Sequence, residues 1–118
     1  MKLVIAINRP ERLEAVEEAL RAVLDEGAAY RLSADEVLGH GRQSGEVELF
    51  RGQEVHVRGV ERTRVTIGVN DAYLEKTVDA IVKAARIGTG QVGDGKVFVL
   101  PLEDAVRIRT GERGGRSI

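Results

Sequence analysis

The chain opens with an alternation that is apolar on both sides. Leu3, Ile5 and Ile7 fall on one face of an extended segment, Val4 and Ala6 on the other, and the run ends at Asn8. Two apolar faces predict a central strand. Pro10 suits the first turn of a helix, where its missing N–H costs nothing. Glu11 and Glu14 favour the positive end of that helix's dipole. Leu13, Val16, Leu20, Val23 and Leu24 then recur at helical spacing, which predicts a helix over about 10–26 with Gly27 as its stop. Residues 31–38 alternate more weakly: Leu32, Ala34 and Leu38 share a face, and Glu36 breaks the pattern.

Residues 39–61 fit neither period. Glycines fall at 39, 41, 45, 52 and 59 with charges of both signs between them, and a stretch of this length without a period usually carries a function. Within it, residues 47–50 suit a hairpin arm. The clearest strand follows, with Thr63, Val65, Ile67 and Val69 facing one way and Arg64, Thr66 and Gly68 the other. Asn70 or Asp71 suits the cap of a second helix, whose stripe is Leu74, Val78, Ile81, Val82 and Ala85. Glycines at 88, 90, 93 and 95 then interrupt the chain. Residues 96–100 predict a fourth strand, 105–109 a short fifth, and 111–118 a polar, flexible tail.

The order β-α-β-β-α-β plus a short edge strand predicts an α+β, ferredoxin-like split βαβ. Its antiparallel sheet carries both helices on one face. Strands apolar on both faces leave the other face needing a cover. In a single domain of 118 residues, another copy of the chain supplies it most simply, so a homo-oligomer with sheets facing inward is expected.

Composition narrows the function classes. Hydrophobic residues make up 42% and charged residues 31%, enough for one folded domain over 1–118. Aromatics are 3%, so the core is built from Val, Ile, Leu and Ala, and a base-stacking sheet is excluded. Lys and Arg total 18 against 19 Asp and Glu, so no basic field exists to hold a nucleic acid. The absence of Cys removes disulfides, zinc–thiolate sites and a cysteine nucleophile. No apolar run is long enough to span a membrane, and the start is too short for a signal peptide, so a cytoplasmic protein without membrane insertion is expected.

Three segments attract anions. In residues 89–98, Gly93 and Gly95 let backbone N–H groups approach a ligand, and Lys96 adds a mobile charge. The same residues read equally as an ordinary Asp-Gly turn, and the spacing is not that of a Walker loop. Arg107 and Arg109 lie on one face of an extended segment, a fork suited to phosphate or a charged edge that discourages aggregation. Gly41 and Arg42 place a glycine-flanked cation at the mouth of the long loop, beside Gln43. His40 and His56 suit solvated loop positions better than a metal site. Glu46, Glu48 and Glu54 read as a solvated loop face, Ser44 has nothing to orient it against His40, and Ser33 has no evident partner. No catalytic set emerges, which disfavours an enzyme such as a small ATPase or acylphosphatase.

With these residues in view, the chain resembles the PII signal-transduction (nitrogen regulatory) protein family over nearly its whole length. The resemblance is carried by residues 5–10 with Leu13 and Val16, by Gly39-His40-Gly41-Arg42-Gln43-Ser44-Gly45 and Glu48-Leu49-Phe50-Arg51-Gly52, and above all by residues 89–102 and Arg107-Ile108-Arg109-Thr110-Gly111. It implies a non-catalytic homotrimer that binds ATP or ADP in clefts between subunits. Ile7, Ser33, Gly41, Arg42, Thr66 and Gly68 would line the base side. Gly93, Asp94, Gly95 and Lys96 would hold the phosphates, and Arg107 and Arg109 would reach them from the neighbouring subunit. It also implies 2-oxoglutarate binding with Mg-ATP, Gln43 serving as a magnesium ligand and Arg62 standing where a lysine is usual. An exposed T-loop over 39–61 would dock on a transporter or enzyme of nitrogen metabolism. The alternative is a PII-like adenine-nucleotide sensor for inorganic carbon or metal transport that does not respond to 2-oxoglutarate.

The chain departs from the family pattern at several points. Thr66 replaces a usual acidic residue, Val60-Glu61 replaces a Leu-Pro pair, and an insertion near Ile87-Gly88 lengthens the glycine loop. Val55 and Gln53 stand where loop tyrosine and serine acceptors are found, so covalent modification at those positions is not expected.

Overall fold

The computed structural model of the protein describes residues 1–24, 32–39, 47–50, 53–56 and 59–118, with the backbone alone for 47–50 and 53–56. Strand β1 (Lys2–Asn8) leads through a 3-10 turn, Pro10–Arg12, into helix α1 (Leu13–Val23). Strands β2 (Ser33–Gly39), β3 (Val47–Phe50), β4 (Gln53–His56) and β5 (Val60–Val69) follow. A second 3-10 turn, Asp71–Tyr73, starts helix α2 (Leu74–Ala85). The chain then forms β6 (Gly95–Pro101) and a final turn, Gly114–Ser117. The main sheet runs β2-β5-β1-β6 with every neighbouring pair antiparallel. That order is the ferredoxin-like one, and β3 and β4 pair separately as a two-stranded ribbon.

Alternation decides which side chains enter the core. Val4 and Ala6 of β1 and Val65, Ile67 and Val69 of β5 point toward the helices and are buried. Val16 and Leu20 of α1 and Ala80, Ile81 and Ala85 of α2 meet them, as the helical spacing predicts. Buried Thr77 satisfies its hydroxyl on the Tyr73 carbonyl, one turn back, at 2.8 Å. The Arg12 guanidinium donates to the Ala84 carbonyl at 2.8 Å, which ties the start of α1 to the unsatisfied end of α2.

Several boundaries differ from those expected. The helix predicted over 10–26 begins as a 3-10 turn at Pro10 and is α-helical only from Leu13; Leu24 is already extended. Gly27 lies outside the described residues. Neither Asn70 nor Asp71 caps α2 through its side chain. The Asn70 amide donates to the Gly115 carbonyl, and Asp71 pairs with the N-terminal amine at 3.0 Å. The amine's hydrogen bond and charge, with Lys2 nearby, hold the Asp71 carboxyl below its ordinary value against a small opposing effect of burial.

The short fifth strand is absent. A single bridge, Val106 to Arg113, replaces it, because the chain turns back at Gly111 (φ 72°), whose N–H donates to the Arg107 carbonyl at 2.7 Å. Residues 111–118, read as a tail, contact the body. The Ser117 hydroxyl donates to the Ala105 carbonyl at 2.7 Å, and Ile118 lies against Gly68.

Candidate functional site

The face of the sheet without helices is ordered in cross-strand rows. Gly68, Leu3 and Leu100 form one row, followed by Ser33, Thr66, Ile5 and Phe98. Asp35, Arg64, Ile7 and Lys96 form the next, and Val37 with Arg62 closes the series. The face is therefore apolar at one end and basic at the other. A cleft of about 440 Å³ opens at the basic end, lined by Ile7, Gly39, Arg62, Arg64, Lys96 and Phe98 among others. Its volume falls in the range of small-molecule sites.

Three cations line this cleft. Arg62 is mostly buried, and its guanidinium donates to the Glu61 carbonyl at 2.9 Å. Arg64 makes a two-pronged pair with Asp35, directly opposite on β2, with Nε to Oδ1 at 3.0 Å. That hydrogen bond, with the guanidinium's charge, holds the Asp35 carboxyl below its ordinary value. Lys96 is exposed at the cleft wall. An anion is the ligand this arrangement favours.

The glycine loop leads into β6, whose first two residues, Gly95 and Lys96, line the cleft. Gly88, Gly90, Gly93 and Gly95 all have positive φ. At Gly95 no side chain fits: a Cβ would stand 1.7 Å from the Ile7 carbonyl oxygen. Asp94 organises the loop from within. Its carboxylate accepts the Gln91 N–H at 2.7 Å and the Ile87 N–H at 3.3 Å, and meets the Arg9 guanidinium at 3.4 Å. Burial is the largest influence on the Asp94 carboxyl and pushes its pKa up. The two N–H donors and Arg9 together outweigh it and leave the pKa lowered. Arg9 also donates to the Val92 carbonyl at 3.0 Å, so one side chain from the β1–α1 turn clasps the loop twice.

The residues expected from sequence fall into four groups. Ile7, Gly95 and Lys96 meet at the cleft with Arg62, and Ser33, Thr66 and Gly68 lie along the same sheet face. Gly93 and Asp94 belong to the glycine loop and lie outside the cleft's lining; Asp94 lines a pocket on the helix side of the sheet. Arg107 lies elsewhere within this chain: its guanidinium donates to Glu112 Oε2 at 3.2 Å and to the Arg116 carbonyl at 3.2 Å, while Arg109 is exposed. Gly41, Arg42, Gln43, His40 and Ser44 lie outside the described residues, and of His56 only the backbone is described. Among the described residues no group of three His, Asp or Glu side chains gathers to hold a metal, and no helix is long and apolar enough to cross a membrane.

Sequence reasoning passed over Arg64 and Asp35. Alternation does put Arg64 on the face of Thr66 and Gly68. What was missing was the register that sets Asp35 opposite it, which depends on strand pairing across 29 positions of sequence.

Known proteins carry this sequence pattern end to end. The family model described as "Nitrogen regulatory protein P-II" matches residues 1–112. A nitrogen regulatory protein GlnK1 of Methanosarcina mazei is 44% identical over 118 residues, covering 100% of this chain and 97% of the relative. A nitrogen regulatory protein P-II of Rhodospirillum rubrum is 42% identical over the full length of both, and a P-II 2 protein of Methanothermobacter thermautotrophicus is 41% identical over 118 residues. With a family match over nearly all of the chain and full-length relatives above two-fifths identity, the chain belongs to the nitrogen regulatory protein P-II family, whose members are signal-transducing regulators rather than enzymes.

Proposed function

We propose that the protein senses the balance of ATP and ADP in the cleft at the basic end of the open sheet face. It passes that state to a protein target of nitrogen metabolism, a transporter or an enzyme, through residues 39–61. Adenine nucleotides are the family's general ligands, and the observation that carries the reading is the cleft's composition. Ile7 offers an apolar wall for a base, Lys96 and the glycine loop offer cationic charge and backbone donors for phosphates, and Arg62 adds a second charge. Asp94 serves as a positioning residue, because its carboxylate is spent on the loop's own N–H groups.

The cleft is half of a site. Arg107 and Arg109 lie outside its lining within one chain, and a neighbouring copy in a homotrimer would bring them in. The apolar end of the same face, with Phe98 at 49% and Leu100 at 41% exposure, supports such an assembly. With Mg-ATP in place, Gln43 would supply a hard oxygen ligand to the metal and Arg62 a partner for a carboxylate of 2-oxoglutarate. The protein works in the cytoplasm on this reading.

Calorimetry with ATP, ADP and AMP, each with and without magnesium and 2-oxoglutarate, tests it. The expected result is saturable binding of ATP and ADP, and 2-oxoglutarate binding only in the presence of Mg-ATP. Absence of ATP and ADP binding to the assembled protein overturns the sensor reading. Loss of the 2-oxoglutarate response alone, at the position where arginine replaces lysine, moves the protein to a nucleotide sensor of another transport pathway.

A further inference from the structure

Between α2 and β6 the chain runs through residues 86–94, with glycines at 88, 90 and 93 and a fourth, Gly95, where the strand begins. Glycine loses more conformational freedom on ordering than any other residue, so such a loop keeps one shape only if side chains hold it. Asp94 closes it from within, through the Gln91 and Ile87 N–H groups. Arg9 ties it to the β1–α1 turn. Its Nη2 donates to the Val92 carbonyl at 3.0 Å and its Nε to Asp94 Oδ1 at 3.4 Å. The ion pair is largely shielded, both side chains being 18% exposed. Arg9 is itself held. Pro10 restricts the residue before it to extended backbone, and Arg9 has φ −64° and ψ 138°. Three residues on, Arg12 donates to the Ala84 carbonyl, which fixes the same turn against the end of α2.

We propose that Arg9 is a positioning residue for phosphate binding: its two-pronged clasp fixes the residues immediately before Gly95 and Lys96, and so presents those two at the cleft. Gly95 and Lys96 line the cleft, whereas Arg9 lines neither it nor the pocket on the helix side. Arg9 therefore acts through the loop and not on the ligand. The clasp requires a fork. Its two acceptors, the Val92 carbonyl and the Asp94 carboxylate, are met by different nitrogens of one guanidinium. An ammonium is a point charge on a flexible stem and cannot hold both in the same way. A loop released from the clasp spends part of its time outside the competent shape. Apparent affinity then falls in proportion to the fraction that stays competent. That the gain is felt by a nucleotide's phosphates rests on the nucleotide reading; that the loop needs Arg9 does not.

The test compares the full-length parent with Arg9→Ala and Arg9→Lys. ATP binding is measured by calorimetry and adenosine binding by NMR titration, since adenosine carries base and ribose without phosphates. Arg9→Ala should weaken ATP about tenfold, the loss expected if the loop is competent about a tenth of the time, and leave adenosine unchanged. Arg9→Lys keeps the charge and should still weaken ATP severalfold. Amide hydrogen exchange of the unliganded proteins separates a loosened loop from a weakened fold. In Arg9→Ala the Gln91 amide should exchange faster, while the core amides of Val65 and Ile67 keep the parent rates. Parent ATP affinity in Arg9→Ala, parent ATP affinity in Arg9→Lys, an equal loss of adenosine and ATP, or equal acceleration of the Val65 and Gln91 amides would each overturn the proposal. A parent that binds neither ATP nor ADP removes the nucleotide reading and this role with it. A parent that binds ATP beside an Arg9→Ala variant of equal affinity removes this role alone.

Discussion

Gly95 connects backbone geometry to the candidate site more directly than any charged residue. It pairs with Asn8 at the edge of β6, has φ of 109°, and leaves no room for a Cβ against the Ile7 carbonyl. Gly88, with φ of 58°, has open space around it. Gly88→Ala should therefore cost about 1–2 kcal/mol, the ordinary penalty of the left-handed region. Gly95→Ala should cost more, because the strand or the loop must move as well, and it should weaken nucleotide binding in parallel. Urea unfolding of the two variants separates these cases, and equal midpoints would contradict the close contact. Asp94 gives a residue-scale pH effect. Its folded pKa lies below the ordinary 3.8, so its contribution is fully present above that value and is lost as the pH falls through the lowered folded pKa. The Gln91 amide resonance should follow that titration, and Asp94→Asn should remove the step. A Gln91 amide that stays unchanged through acid would show that the carboxylate does not hold the loop.

At the scale of elements, much was legible because each strand declares its faces locally. The alternation Thr63, Val65, Ile67, Val69 places β5 correctly. Yet β5 starts three residues earlier, at Val60, because Val60–Arg62 pairs with Val37–Gly39 of β2 beyond the end of β1. That pairing is non-local, and it is what carries Arg62 into the cleft. The alternation of Arg107, Ile108 and Arg109 misleads for a related reason. Nothing in the sheet pairs with it, and Gly111 closes a turn that returns Arg107 to Glu112. Ile108 stays fully exposed in the single chain, as a segment meant for another surface would be. If Arg107 meets a phosphate across a subunit boundary, it exchanges its half-exposed ion pair with Glu112 for a charge-assisted contact to the ligand, worth about 1.5–3 kcal/mol. Arg107→Ala should then weaken ATP binding by about ten- to a hundredfold. Calorimetry on a folded Arg107→Ala, Arg109→Ala double variant that returned the parent affinity would remove both arginines from the site.

At the scale of the whole molecule, an assembly of copies would couple the two ends of the open sheet face. Leu3 with Leu100 and Ile5 with Phe98 make one end of the face apolar, while Arg64 and Lys96 in the row of Ile7, and Arg62 beyond them, make the other end basic. Apolar contact between copies would fix the distance from each cleft to the next chain's arginines, so assembly and nucleotide binding should fail together. Leu100→Asp probes this link. Leu100 is 41% exposed in the single chain and does not line the cleft, so an aspartate there should leave the subunit folded, which circular dichroism would verify. In an assembly the same carboxylate would be buried against apolar neighbours without a partner, at a cost of several kcal/mol. Sedimentation equilibrium should give the mass of three chains for the parent and of one for Leu100→Asp. The variant should also lose ATP affinity to the extent of the Arg107 and Arg109 double variant, although every residue of its own cleft is intact. A monomeric Leu100→Asp protein that bound ATP as tightly as the parent would mean that the cleft is complete within one chain. The arginines would then act there or not at all, and the apolar face would serve some purpose other than building the site.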